Sequence, residues 1–313
     1  MTTETDMSSQ LTTLKTGGWR SWMLTDTPRS RRQATAGMLY RGWLQFSRNR
    51  LAMTGFVTLL LMFAVAILAP QLASHDPNVQ DLAHRLVAPS ALHWLGTDQL
   101  GRDLYSRLLY GTRITLGMAV LIVAIVAPLG LLIGSVAGYA GGWIDRILMR
   151  VTDIFLAFPK LVLALAFVAA LKPGLTSVVA AIALTAWPPY ARLARAETMV
   201  IRHADFISAI RLTGASPSRI VFRHIMPLCI SPVIVRVALD VSGIVLTAAG
   251  LGFLGMGAQA PSPEWGAMIA STRGFILEQW WVPTIPGVAI FVASLAFNLL
   301  GDGLRDVFDP KSD

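Results

Sequence analysis

The chain carries one cysteine, Cys229, in 313 residues. No disulfide can close within it, and no cage of cysteines can hold a metal. Charge is scarce too: 14% of residues are Asp, Glu, Lys or Arg against 54% hydrophobic, and the mean hydropathy is +0.58. That is more apolar than a soluble domain of this length needs for its core. Acidic residues are the rarer sign, 18 against 26 basic, a formal net charge of +8. Such a surplus would suit nucleic acid, but the Lys and Arg residues fall between apolar blocks and form no nucleic-acid-binding module, so nucleic acid is not expected as a partner. No GxxxxGK[ST] phosphate loop occurs, so this chain does not hydrolyse ATP by that chemistry. Nor does a nucleophile with its base, a carboxylate pair or a ligand set converge in the pattern an enzyme needs.

What is present is a series of apolar runs. About 20 helical residues cross a bilayer core, and about six runs of that kind emerge: Leu51 to Pro70, Ile114 to Ala140, Ile154 to Leu171, Gly174 to Pro189, Cys229 to Leu254 and Pro283 to Leu300. The fold class expected is therefore all-α, a polytopic membrane protein. Residues 1–50 read as a cytoplasmic tail and lead-in segment, too long and charged for the n-region of a cleaved signal peptide, which makes the first run a retained signal anchor. Residues 51–313 form the membrane domain, with outer loops 71–113 and 255–282 and a cytoplasmic loop 190–228.

Positive charge sets the orientation. The tail holds Lys15, Arg20, Arg29, Arg31, Arg32, Arg41, Arg48 and Arg50 against Glu4, Asp6 and Asp26, and the loop Tyr190 to Leu228 has six arginines against Glu197 and Asp205. The other loops have no basic excess. Both termini and the 190–228 loop are expected in the cytoplasm of a bacterial cell, with the chain in the inner membrane.

Several local patterns carry structural expectations. Gly130, Gly134 and Gly138 recur every four residues, the spacing that lets membrane helices approach closely. Gly250, Gly252 and Gly255 match GxGxxG, but they end a membrane span and have no βαβ unit around them, which excludes a dinucleotide site. His75, His84 and His93, nine residues apart in a polar loop, do not cluster as ligands would, so no metal site is expected. Thr97 to Arg113 alternates Asp98, Arg102, Asp103 and Arg107 with leucines and reads as an amphipathic surface helix. Arg236 and Asp240, four apart in the fifth span, are either an intrahelical pair or part of a polar path through the membrane. Lys160 is expected to snorkel to the interface.

The 190–228 loop is too basic to enter lipid yet is punctuated like two short helices. The first has Asp205 as N-cap, apolar Phe206, Ile207 and Ile210 held outward, and Gly214 at its C-terminal turn. The second opens with Ser216 as N-cap and Pro217 at the first helical position, and stops near Pro227. An exposed apolar helix flanked by arginines calls for a protein partner.

Ser208, Ala209 and Ile210, then Gly214, then Met226 and Pro227, resemble the EAA loop of binding-protein-dependent ABC importer permeases. Ser208, Ile210, His224 and Met226 depart from the family's Glu, Ala, Ile and Leu. Further stretches, Leu95-Gly-Thr-Asp-Gln-Leu-Gly-Arg-Asp103, Gly138-Tyr-Ala-Gly-Gly-Trp143, Gly252-Phe-Leu-Gly-Met-Gly257, Pro263-Glu-Trp-Gly266 and Gly301-Asp-Gly-Leu-Arg-Asp306, are similar to the dipeptide, oligopeptide and nickel permeases, and to their C-type member. The resemblance spans nearly everything after Leu44. It implies a type I importer permease fold, a sister permease, two ATP-binding subunits that carry the ATP and Mg, a periplasmic binding protein, and docking on the ATPases through Asp205, Phe206, Ser208, Ala209, Ile210, Gly214 and Pro227. The alternative is a stand-alone secondary transporter or channel, which needs a coupling-ion site of buried carboxylates; the spans offer mainly Asp240.

Overall fold

A computed structural model describes residues 19–24 and 30–308. Lys15 and Arg29 of the basic tail lie outside them, as do Glu4, Asp6 and Asp26. The described residues form helices and no strand. Two leading helices, α1 (Trp19–Leu24) and α2 (Arg31–Arg48), precede the bundle. Asn49 accepts from the backbone N–H groups of Leu51 and Ala52 and so caps α3 (Arg50–Leu72). A loop with one 3₁₀ turn leads to α4 (Leu104–Ala140), started by the Asp103 carboxylate on the Ser106 N–H and ended at Gly141, whose φ is +64°. α3 and α4 thus run in opposite directions along the bundle.

The two short spans differ most from expectation. The third breaks at Phe158–Pro159, where a residue ahead of proline is pushed out of the helical region, into α5 (Gly142–Ala157) and α6 (Lys160–Leu171), bent by 94°. The fourth is α7 (Leu175–Ala186), about 18 Å long and too short alone, but it runs on through Trp187, itself helical, into α8 (Pro188–Ile201). The first half of the expected basic loop is therefore bundle helix. Gly130, Gly134 and Gly138 explain it: α4 meets α8 so closely that a Cβ on Gly134 would lie against the Ala191 carbonyl, 2.7 Å from Ala194 Cβ and 2.8 Å from Arg195 N.

Three short helices follow: α9 (Asp205–Leu212), then α10 (Pro217–Ile220), which passes through a π-helical turn at Val221–Ile225 into the long α11 (Met226–Phe253), and, after the loop 254–264, α12 (Trp265–Thr272). The expected stop at Pro227 does not occur. Proline removes one backbone donor, and the wider turn just before it shifts the bonding pattern so that the helix continues. α13 (Trp281–Phe308) closes the bundle, with Gly301 against the Ala238 backbone and Gly303 against Ala52 and Phe46. α3, α4, α13 and the helix Pro217–Phe253 are each long and apolar enough to cross a membrane; the bent α5/α6 pair makes a fifth if it is taken as one span, and α7 with α8 stands where the remaining expected run lies.

Two apolar clusters hold the bundle. One joins α4, α7, α8 and α11 through Ile122, Ile182, Tyr190 and Leu251; the other joins α3, α4, α11 and α13 through Leu59, Leu116, Val245 and Phe297. Large apolar side chains such as Leu60, Ile67, Val120 and Phe291 face outward, the inversion expected where lipid or another membrane chain is the surrounding medium.

Candidate functional site

The helix α9 stands between Arg202 and Gly214 at the end of the bundle where α4 finishes. Asp205 is its first residue rather than its cap; Ala204 holds the cap position and Asp205 contributes negative charge to the first turn, where the helix dipole favours it. Gly214, with φ +80°, ends the helix through an Ala215 N–H bond to the Ile210 carbonyl, and Ser216 caps α10 through the Arg219 N–H.

The two faces of α9 differ. Ile207, expected outside, is fully buried and packs into the α4/α8/α11 cluster with Ile220 and Ile225, while Ile210 is half-buried against the same cluster. Ile207 is the anchor that orients the helix. Asp205, Phe206, Ser208 and Ala209 face outward, and so does Leu212, at 90% the most exposed large apolar residue of the loop. The motif comparison passed over Leu212; the signal was its place six residues after Phe206 on the face away from Ile207. Arg211 lies over the Tyr139 ring at 5.2 Å, and Arg202 Nη1 donates to the Gly138 carbonyl, tying the loop to the end of α4. Arg195 grips both oxygens of Asp145 at 2.5 and 2.7 Å, joining α8 to α5. Pro227 lies beyond the π-helical turn, exposed but apart from α9 in the continuous helix.

Arg236 and Asp240 do pair within α11, Nε to Oδ2 at 2.8 Å. They do so at the wall of a cavity of about 310 Å³, lined as well by Phe155, Phe158, Lys160 and Tyr190. Lys160, expected to snorkel to the interface, is exposed, and from the bend at Pro159 it also lines this cavity, within electrostatic reach of Asp240 and Arg236.

The opposite end of the bundle corrects two more expectations. Thr97 to Arg113 is no surface helix: residues 97–103 form a loop, and Asp98, Arg102, Asp103 and Arg107 are buried. Buried charges must be paired. Asp98 holds Arg102 at 2.6 Å and faces Arg107 at 3.5 Å, and Arg107 donates to the Pro77 and Pro261 carbonyls. Segments 30 and 154 residues away thus cover charges that look solvent-facing in the sequence. The histidines also cluster where spacing gave no hint: His93 Nδ1 lies 2.9 Å and His75 Nδ1 3.9 Å from Asp103 Oδ1, and the three ligand-capable atoms lie within 4.8 Å of one another. His84 stays apart, on Asp81 at 2.7 Å. Of the GxGxxG glycines, Gly252 is a packing residue, while Gly255 takes a φ of +78° at a turn with open space beside it. A Cβ on Gly252 would lie 2.5 Å from Glu264 Oε2, and Glu264 caps α12 by accepting from Gly266 and Ala267 N–H at 2.8 Å. Burial pushes the Glu264 carboxyl above its ordinary value.

Comparison with known proteins agrees with this geometry. Residues 130–313 match the family described as binding-protein-dependent transport system inner membrane component, and residues 37–89 match the N-terminal TM domain of oligopeptide transport permease C. The probable D,D-dipeptide transport system permease protein DdpC of Escherichia coli K12 is 45% identical over 84% of this chain and 88% of its own. The di/tripeptide transport system permease protein DppC of Pseudomonas aeruginosa is 44% identical over 86% and 91%, and the glutathione transport system permease protein GsiD of Pectobacterium atrosepticum 43% over 86% and 90%. Among solved structures, the MetNI methionine ABC transporter in an inward-facing conformation shares the fold, with a TM-score of 0.54 at 20% identity over 66% of this chain and 98% of that one. A helix bundle with an outward-facing α9 and these relatives lead to one conclusion: the chain belongs to the inner membrane components of binding-protein-dependent transport systems, and is a permease subunit of an ABC importer whose nucleotide-binding work lies on separate subunits.

Proposed function

We propose that this chain is the C-type half of a peptide importer. It pairs with a sister permease, stands on two ATP-binding subunits that hold the ATP and Mg, and receives a dipeptide, a tripeptide or a related small solute from a periplasmic binding protein. The names of the relatives at 43–45% identity, dipeptide, di/tripeptide and glutathione permeases, support that class of cargo. The basic tail and the arginine-rich stretch around α9 support an orientation with both termini and α9 in the cytoplasm.

The observation that carries the reading is α9 itself: Ile207 locks it to the bundle while Asp205, Phe206, Ser208, Ala209 and Leu212 face away, uncovered among the described residues. Those residues dock into the ATPase subunits, and the positive-φ Gly214 sets the angle at which α9 meets them. ATP-driven closure of the partners moves α9, and the bundle exchanges between inward-open and outward-open states, a two-state shift driven by differential contact with the ATPases.

The test replaces Phe206 and Leu212 by Asp, and separately makes Gly214→Asp, in the assembled transporter. The reading expects ATPase subunits to be lost on purification and ATP-dependent uptake of Ala-Ala to fall at least tenfold, while membrane insertion is unchanged. Uptake and co-purification that both survive all three changes would overturn it.

A further inference from the structure

The cavity between the α5/α6 bend, α8 and α11 is an unusual place for charge. Arg236 and Asp240 lie in a helix apolar enough to cross a membrane, where ionisable groups are costly and found where they have work to do. As an isolated pair they would neutralise each other. Lys160 breaks that balance: three charged side chains line one cavity, two positive and one negative, which leaves one positive charge unanswered. A second group lacks an answer too. Tyr190 is 1% exposed, and its hydroxyl lines the same cavity beside Asp240 without a partner in good hydrogen-bond geometry. Buried polar groups are normally hydrogen-bonded.

The volume, about 310 Å³, is at the small end of the roughly 300–1,000 Å³ typical of small-molecule sites. Phe155 and Phe158 give it an apolar wall. A solute that fits must be small, must bring negative charge to Lys160 and Arg236, and is best held if it also offers a cation to Asp240.

We propose that this cavity is a cargo-reading subsite for zwitterionic solutes: Lys160 and Arg236 take a free carboxylate, Asp240 takes the ammonium, and the Tyr190 hydroxyl donates to the carboxylate or to a peptide carbonyl. The inference rests on the permease reading and adds to it. Selection occurs a second time inside the membrane, after the binding protein has chosen, and the discriminating feature is the free carboxylate. Charge-assisted hydrogen bonds are about twice as strong as neutral ones, so a carboxylate-to-amide change is a sensitive probe.

The experiment uses the complete permease–ATPase complex in lipid nanodiscs without the binding protein, and measures binding of Ala-Ala and of its C-terminal amide. The wild-type complex is expected to bind the free acid about tenfold or more tightly than the amide, the loss of one charge-assisted contact. Lys160→Gln is expected to bring the ratio close to one, and Lys160→Arg to restore it. Asp240→Asn is expected to abolish discrimination between Ala-Ala and its N-acetylated form. Equal binding of acid and amide by the wild type, no measurable binding of Ala-Ala, or a ratio unchanged in Lys160→Gln would each overturn the proposal. Assembly with the ATPases and basal ATP hydrolysis are read in the same samples. Their loss in the wild-type preparation would sink the permease reading instead, and their retention in the variants shows that the fold is intact.

Discussion

Gly134→Ala tests the packing on which the loop geometry depends. The added methyl would meet the Ala191 carbonyl and lie 2.7 Å from Ala194 Cβ and 2.8 Å from Arg195 N, all on α8. Carbon atoms rest at about 3.5–4.0 Å, so α8 would have to withdraw by about 1 Å over this turn. Two of the three atoms are backbone and cannot rotate away. Forced overpacking of this kind costs about 1–3 kcal/mol.

Gly117→Ala, on the same helix, is the control. Nothing lies within 4 Å of the position its Cβ would take, so the change only replaces a poor helix former by a good one and gains about 1 kcal/mol. The same chemical substitution thus has opposite signs 17 residues apart, a contrast of about 2–4 kcal/mol. At about 2–4 °C per kcal/mol, the two variants should separate by roughly 4–16 °C in apparent melting temperature, followed by tryptophan fluorescence in detergent. Equal shifts, or a stabilised Gly134→Ala, would refute the close contact between α4 and α8. The same movement drags Arg195, so in the Gly134 variant its grip on both Asp145 oxygens should loosen, read as faster hydrogen exchange at the end of α8.

Other outcomes follow from the geometry. Asp103→Ala removes the cap of α4 and the shared partner of His93 and His75; a lost cap costs about 1 kcal/mol, and hydrogen exchange should rise across residues 75–106 while α13 is unchanged. Uniform exchange along the chain would contradict that linkage. Glu264, raised by burial above its ordinary value of 4.5, is better accommodated protonated in the folded chain. Its contribution to stability is complete below that value and is lost as pH rises through the raised one, so the apparent melting point of wild type should fall relative to Glu264→Gln as pH rises above the ordinary carboxylate range. Parallel pH curves would show the burial to be misjudged. Arg195→Lys keeps the charge but not the two-point fork, and should destabilise by about 1 kcal/mol or less, as expected for a partly exposed pair, with the loss removed in an Asp145→Ala background; a full loss in that background would deny the pairing.

The sequence showed most clearly those features whose cause is local. The caps of α10, the positive-φ Gly214 and the small-residue stripe on α4 are each written within a few residues, and each appears in the structure as expected. Features made by distant segments stayed hidden. Thr97 to Arg113 has the alternation of a surface helix, yet Pro77 and Pro261 arrive to satisfy Arg107. His75 and His93 meet only because the loop folds back onto Asp103. Ile207 looks like its exposed neighbours until Ile220 and Ile225 cover it. The bend at Pro159 was not read in the run Ile154 to Leu171, and its effect, placing Lys160 beside α11, depends on where α11 stands. For the candidate sites, the residues of the loop were readable and the cavity was not: it draws on three separate stretches of chain, none with a motif of its own.

One feature of the backbone has a mechanical meaning. The helix that begins at Pro217 runs without a loop through the π-helical turn at Val221–Ile225 to Phe253. From Pro217 to Arg236 it is a rod of about 28 Å at 1.5 Å per residue. A push at its base has no slack segment in which to dissipate, so it arrives at Arg236 and Asp240 as displacement of the same rod. The wide turn near the base and Pro232 inside the helix are its compliant joints, able to take up twist before thrust is passed on, and a grip on α9, just ahead of this rod, would hold one end of a lever whose other end is a wall of the charged cavity.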